Sequence, residues 1–140
     1  MTATTTSATT PDYDEIVRVV QLYIDGFNDG DSTKFHEAFY ADAWMFYTDA
    51  DGVLHRYRLT DCFEDWATPP LATIVGRIIS VTQAGDVATV LLGFDDAADL
   101  ADSWVDVHSL LRIDGAWKIM NKTATHCRRA GWAAPQVPQR

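Results

Sequence analysis

The sequence predicts an α+β domain in which helices come first and an antiparallel sheet follows. Three observations carry this. From Pro11 to Tyr40 apolar residues recur at helical spacing, beyond Leu71 they gather into long runs rich in β-branched residues, and tight turn signals separate those runs. A length of 140 residues suits one core. The domain is expected over 11–129, between a disordered N-terminal tail at 1–10 and a C-terminal tail at 130–140.

In the first helix, Ile16, Val19, Val20, Tyr23 and Phe27 share one side while Arg18, Gln21 and Asp25 share the other. Thr10 can cap it, Pro11 suits its first position, Asp12, Asp14 and Glu15 favour its positive end, and Gly30 stops it, so it should span about Pro11 to Asp29. Asp31 or Ser32 then caps a second helix with Phe35, Ala38 and Phe39 turned inward, ending near Tyr40. Residues 43–47 (AWMFY) and 53–58 (VLHRYR) read as two strands joined around Asp51-Gly52. A third helix follows, capped by Thr60 or Asp61, buried through Phe63 and Trp66, and ended by Pro69-Pro70. The remaining strands are ATIVGRIISVTQ, VATVLLGF, SWVDVHSLLRI and AWKIMNKTATH, with turns at Ala84-Gly85-Asp86 and Asp114-Gly115 and an acidic loop at Asp95–Asp102.

A three-residue loop, Ile113-Asp114-Gly115, is the preferred closure of the last hairpin; a two-residue loop would mix its faces. The preferred register pairs Leu111 with Trp117, Ser109 with Ile119 and Val107 with Asn121. It puts Val105, Val107, Ser109, Leu111, Trp117, Ile119, Asn121 and Thr123 on one face. Trp104, Asp106, His108, Leu110, Lys118, Met120, Lys122 and His126 then share the other, with Asp106 opposite Lys122.

Composition narrows the partners. Eleven Lys and Arg against 20 Asp and Glu give a formal charge of -9, which repels nucleic acid and anionic membrane surfaces. No stretch approaches the roughly 20 apolar residues of a membrane span, and the Thr-rich start has no basic and apolar leader pattern, so a cytoplasmic protein is expected. Cys62 and Cys127 fit neither a disulfide framework nor a metal spacing and are expected as two reduced thiols. No phosphate-binding glycine loop or dinucleotide fingerprint occurs, and the acidic run lacks the glycine and closing glutamate of a calcium loop, so no cofactor and no metal are expected.

Three segments carry a family resemblance: VVQLYIDGFNDGDSTKFHEAFYADAWMFY, DCFEDW and DVHSLLRIDGAWKIMNK, together spanning about Tyr13 to His126. The chain resembles the nuclear-transport-factor-2-like superfamily, whose cone-shaped, cystatin-like roll packs three N-terminal helices on a curved mixed, mainly antiparallel sheet. Ketosteroid isomerase and scytalone dehydratase share that fold. The aspartate before LL and the closing WKIMNK look most like the SnoaL-like or putative lumazine-binding branch. Matched to ketosteroid isomerase, the tyrosine donor to the substrate oxygen falls on Tyr23, the general-base aspartate on Tyr47, the second oxyanion donor on Ser109 and a pocket tryptophan on His126. The late-helix aspartate of scytalone dehydratase falls near Asn28. With the carboxylates missing at these places, neither mechanism is implied unchanged.

The residues themselves suggest a pocket. Tyr23 and Tyr47 are candidate donors to a developing oxyanion, and removing the Tyr23 hydroxyl is expected to spare stability while lowering turnover. Phe27 and Trp66 would line the ligand site, and Asn28, Ser109 and Asn121 are polar positions in apolar patterns that a ligand, water or the protein must satisfy. Asp106, His108 and Lys122 form a second candidate group, a carboxylate beside a base and a cation. Their place on the more polar face favours an exposed or dimer-facing ion pair. His36 and His55 read as surface groups, and His126-Cys127 as a poor nucleophile-base pair, because strand neighbours point to opposite faces.

The expected function is a small-molecule pocket, as a cofactor-independent isomerase, dehydratase or cyclase on a small apolar carbonyl compound, or as a non-catalytic ligand-binding or dimerisation module. A homodimer is expected through the face bearing Trp104, Leu110 and Met120.

Overall fold

The structure is a computed structural model and describes residues 10–126. Helix α1 (Thr10–Asp29) leads into α2 (Ser32–Ala38), then strands β1 (Phe39–Thr48) and β2 (Leu54–Arg58), a single 3-10 turn at Leu59–Asp61, and α3 (Phe63–Ala67). Four long strands complete it: β3 (Ile74–Ala84), β4 (Val87–Asp96), β5 (Asp99–Ile113) and β6 (Ala116–His126). The six strands form one sheet in the order β2-β1-β6-β5-β4-β3, antiparallel except where β1 runs parallel to β6. The three helices close one side of this mixed sheet, giving the α+β cone.

Helix α1 forms where its apolar spacing predicts, and its stripe is the core: Ile16, Val19, Val20, Tyr23, Ile24 and Phe27 are all buried. Its polar side is tied down at the surface, with Arg18 bridging Glu15 and Glu37. Asp31 caps α2 by accepting from the Thr33 N–H at 3.0 Å. That helix stops at Ala38, two residues before Tyr40, because Phe39 already belongs to β1 and its backbone pairs with Ile119 of β6. Neither Thr60 nor Asp61 caps α3. Both lie in the 3-10 turn, and Cys62 occupies the cap position without capping the helix, its thiol donating back to the Arg58 carbonyl. Phe63 is buried and Trp66 packs on the core. The side chains of Thr10, Pro11 and Asp99–Asp102, residues 1–9, the Cys127 thiol and the C-terminal tail boundary lie outside the described residues, and α1 begins at Thr10, one residue before the expected start of the domain.

The acidic segment is largely strand, since β4 runs to Asp96 and β5 starts at Asp99. Asp95 holds Arg77 at 3.2 Å and accepts from Ser103, while Asp96 accepts from Thr73 at 2.5 Å. Pairing these carboxylates within the sheet makes a longer acidic loop unnecessary.

The β5–β6 hairpin departs from the three-residue closure. Ile113 pairs with Ala116 across a two-residue turn, with φ of 52° at Asp114 and 81° at Gly115, so both turn residues are left-handed. Leu110 then pairs with Ile119, and a bulge at Met120 resets the register so that Ser109 pairs with Asn121 and His108 with Lys122. The turn and the bulge together bring Asp106, His108 and Leu110 to the same concave face as Trp117, Ile119, Lys122 and Ala124. The side expected to face outward on β5 therefore faces the helices. Asp106 and His108 are 1% and 0% exposed.

Candidate functional site

Between α1, α3 and the concave face lies a half-open pocket of about 250 Å³. Its wall is aromatic because α1 contributes Tyr23 and Phe27, α3 contributes Trp66, and the strands contribute Tyr47, Phe94 and Trp104; Met45, Leu71, Ile74 and Ala124 fill the gaps. Tyr23 is central to this packing, with the rings of Phe27, Phe39, Trp66 and Phe94 centred 5.3 to 5.8 Å from its own. At the mouth Tyr47 stacks on His55 at 4.8 Å and meets the edge of Trp104 at 5.3 Å. His55 in turn is 2.8 Å from Asp49, which fixes that side of the entrance.

The floor is charged. The Tyr23 hydroxyl donates to Asp106 Oδ2 at 3.0 Å, reaching across from α1 to β5, and His108 Nε2 lies 3.4 Å from the same oxygen. Lys122 Nζ stands 3.4 Å from the other oxygen, Oδ1, with 7% of its side chain exposed. The ammonium also sits 5.8 Å from the ring centres of Tyr23 and Trp66, a cation over two aromatic faces. Its hydrogen-bond acceptor in the structure is the Met45 thioether at 3.4 Å, a weak one.

Burial and pairing act against each other here. Burial pushes the Asp106 carboxyl up, but Lys122, His108 and the Tyr23 hydroxyl outweigh it and hold the group below the ordinary carboxylate value. Burial pushes His108 down, and its contact with Asp106 only partly compensates, so the imidazole is neutral and donates from Nε2. Tyr23 is raised well above the ordinary phenol value, by burial first and by the Asp106 charge second, so it keeps its proton as the donor to Asp106. The floor thus carries one negative and one positive charge and no net charge.

Residues 11–124 match the family model described as putative lumazine-binding. The chain belongs to that family. Solved structures agree on the fold. An NTF2-like protein of unknown function from Shewanella baltica OS155 is 24% identical and superposes with a TM-score of 0.75 over 85% of this chain and 96% of its own. One from Methylobacillus flagellatus KT is also 24% identical, with a TM-score of 0.75 over 88% and 98%. A putative dehydratase of the NTF2-like family from Streptomyces avermitilis is 18% identical, with a TM-score of 0.58 over 84% and 98%. No curated protein matches the chain.

In this member of the family the expected site residues divide into two groups. Tyr23, Tyr47, Phe27, Trp66, Asp106 and Lys122 converge on the pocket, and His108 supports Asp106 from behind. Asp106, His108 and Lys122 are a buried cluster rather than an exposed or dimer-facing pair, because the two-residue turn and the bulge set their face. Tyr23 donates to that carboxylate instead of offering its hydroxyl to the pocket. Ser109, Asn121 and Asn28 fall away from it. Ser109 is exposed on the convex face, between Thr89 and Asn121. Asn121 is on that face too, donating to the Trp44 carbonyl at 3.1 Å and accepting from Thr123. Asn28 donates to the carbonyls of Leu71 and Ile74, fastening the segment after α3 to α1. His126 meets Trp104 edge-on at 4.8 Å on the concave side. His36 is exposed and His55 half-buried.

Phe94, Trp104, Met45 and Ala124 are pocket residues that the reading of the sequence did not place there. Alternation along β4 and β5 was the available signal, but its phase depended on the hairpin register. Among the described residues no group of His, Cys, Asp and Glu is arranged to hold a metal ion, and no helix is long and apolar enough to cross a membrane.

Proposed function

We propose that the protein binds a small, largely apolar carbonyl compound between Tyr47, Trp66 and Phe94, and acts on it by cofactor-independent acid-base chemistry of the isomerase, dehydratase or cyclase kind. The observation that carries this reading is the Asp106–Lys122 pair, buried at the floor of an aromatic pocket. The Lys122 ammonium is a donor for a carbonyl oxygen and stabilises the negative charge that grows there as an adjacent C–H bond breaks. Asp106 Oδ1 is the acceptor for the released proton, and returning that proton to another carbon, or to a departing hydroxyl, completes an isomerisation or an elimination. An elimination agrees with the description of the Streptomyces avermitilis relative.

One observation favours the second reading, a binding module without turnover. Asp106 is held below the ordinary carboxylate value and is therefore a weak base. A panel of enones and β-hydroxy ketones followed by ultraviolet absorbance separates the two. Catalysis predicts turnover that falls roughly 100-fold or more in Asp106→Asn. Binding of the panel with no turnover in the wild type selects the binding module.

The reading includes a homodimer through the convex sheet face, where Trp44, Phe46, Met120 and Val107 replace the buried Leu110 and pocket-lining Trp104 of the sequence expectation.

A further inference from the structure

The floor of the pocket is satisfied in charge but poor in hydrogen bonds. Asp106 Oδ1 is buried and accepts no hydrogen bond among the described residues, although Lys122 Nζ lies 3.4 Å away. The other oxygen of the same carboxylate is well supplied, by Tyr23 and His108. Lys122 carries three N–H donors and spends one on a thioether. The pocket floor therefore holds one strong acceptor and spare strong donors side by side, the acceptor closed to solvent until a small shift of Lys122 uncovers it. A buried polar atom left without a partner is costly, so the group that completes this floor gains most if it answers both at once.

We infer that the ligand is neutral and flat and carries a donor directly beside a carbonyl oxygen, as in a lactam or an enolised hydroxy-ketone, with the donor on Asp106 Oδ1 and the oxygen on Lys122 Nζ. This rests on the reading that the pocket binds a small molecule, and names the class of that molecule. Two adjacent ligand atoms reach two protein atoms 3.4 Å apart through two roughly parallel hydrogen bonds, a fit that an isolated carbonyl cannot make. The neutral charge of the floor excludes anions. A ligand carboxylate would gain Lys122 but meet Asp106 at the same distance, inside a chain of formal charge -9. The aromatic faces of Tyr47, Trp66 and Phe94 select flatness.

Four matched bicyclic probes test it by nuclear magnetic resonance titration of the labelled protein: 2-quinolone, N-methyl-2-quinolone, quinoline and quinoline-2-carboxylate. The expected order is 2-quinolone tighter than N-methyl-2-quinolone and quinoline by 10-fold or more, with the carboxylate weakest, and with shifts centred on residues 104–108 and 120–124. In Asp106→Asn the floor becomes positive, so the carboxylate should gain at least 10-fold while the advantage of 2-quinolone over its N-methyl form shrinks. Equal binding of all four probes in the pocket would overturn the donor-acceptor inference and leave the small-molecule reading standing. Tightest binding of the carboxylate to the wild type would overturn it likewise. No shift at pocket residues with any probe would overturn both.

Discussion

At Tyr23 the distinction between core and chemistry dissolves, because the ring is core and the hydroxyl is bonded to the charged group of the site. The sequence-based expectation that Tyr23→Phe spares stability is therefore revised. Removing the hydroxyl deletes a buried hydrogen bond to a carboxylate, and we expect a loss of about 1.5 to 3 kcal/mol in urea unfolding, against less than that for Tyr47→Phe at the half-buried mouth. Equal, small losses for the two variants would remove Tyr23 from the charged cluster. His108 gives a pH dependence with a definite sign. Its folded-state value lies below the ordinary 6.5, so on acidification the unfolded chain takes up a proton that the folded chain refuses. Stability is then complete above 6.5 and falls as pH drops below it. Asp106 adds a further loss below its ordinary 3.8, because its folded-state value is also lowered. Urea midpoints measured from pH 7 to 5 should decline in the wild type and decline less in His108→Gln; parallel curves would show that His108 does not titrate on unfolding.

At the scale of elements, legibility followed the strength of local signals. Helix α1 was readable because five apolar residues at one period leave a single way to pack, and β1 and β2 because an aspartate-glycine turn separates them. The last hairpin was readable as a hairpin and misread in phase. Whether Asp114 takes a left-handed conformation is decided by one residue, and the bulge at Met120 has no composition of its own, yet these two details choose which side chains of β5 see the pocket. Residue types therefore group Asp106, His108 and Lys122, while the turn and the bulge decide that they face the helices. The turn can be tested. Gly115→Ala forces a side chain into φ 81°, where a Cβ meets no neighbour but the backbone itself is strained, and should cost about 1 kcal/mol with the pocket unchanged. Gly26 in α1 is the opposite case, with ordinary helical φ but a Phe35 ring carbon 2.5 Å from where a Cβ would stand. The roughly 1 kcal/mol that alanine gains in a helix is outweighed by an overpacking cost of about 1 to 3 kcal/mol. Thermal melting should place Gly26→Ala below the wild type, and an unchanged or raised midpoint would mean that α1 and α2 have room between them.

Over the whole molecule, the fold was legible because helical periods are confined to the first half of the chain, interrupted by one short strand pair, and long strand runs fill the second, while the site was legible only in its residue types. Its floor joins α1 to β5 and β6 across more than eighty positions of sequence, as in the Tyr23–Asp106 bond, and no local pattern encodes such a meeting. The proposed homodimer belongs to this scale. Light scattering at tens of micromolar should give twice 15.6 kDa, and Trp44→Glu on the convex face should return the single mass. A single 15.6 kDa mass for the wild type would end the dimer. A crystal structure of the protein soaked with 2-quinolone would show whether the aromatic pocket is a small-molecule site built on Asp106 and Lys122. Density is expected for a flat ring between Tyr47, Trp66 and Phe94 with its oxygen within hydrogen-bond distance of Lys122 Nζ. A cone filled by its own side chains, or the ring bound elsewhere with the Asp106–Lys122 floor untouched, would contradict it.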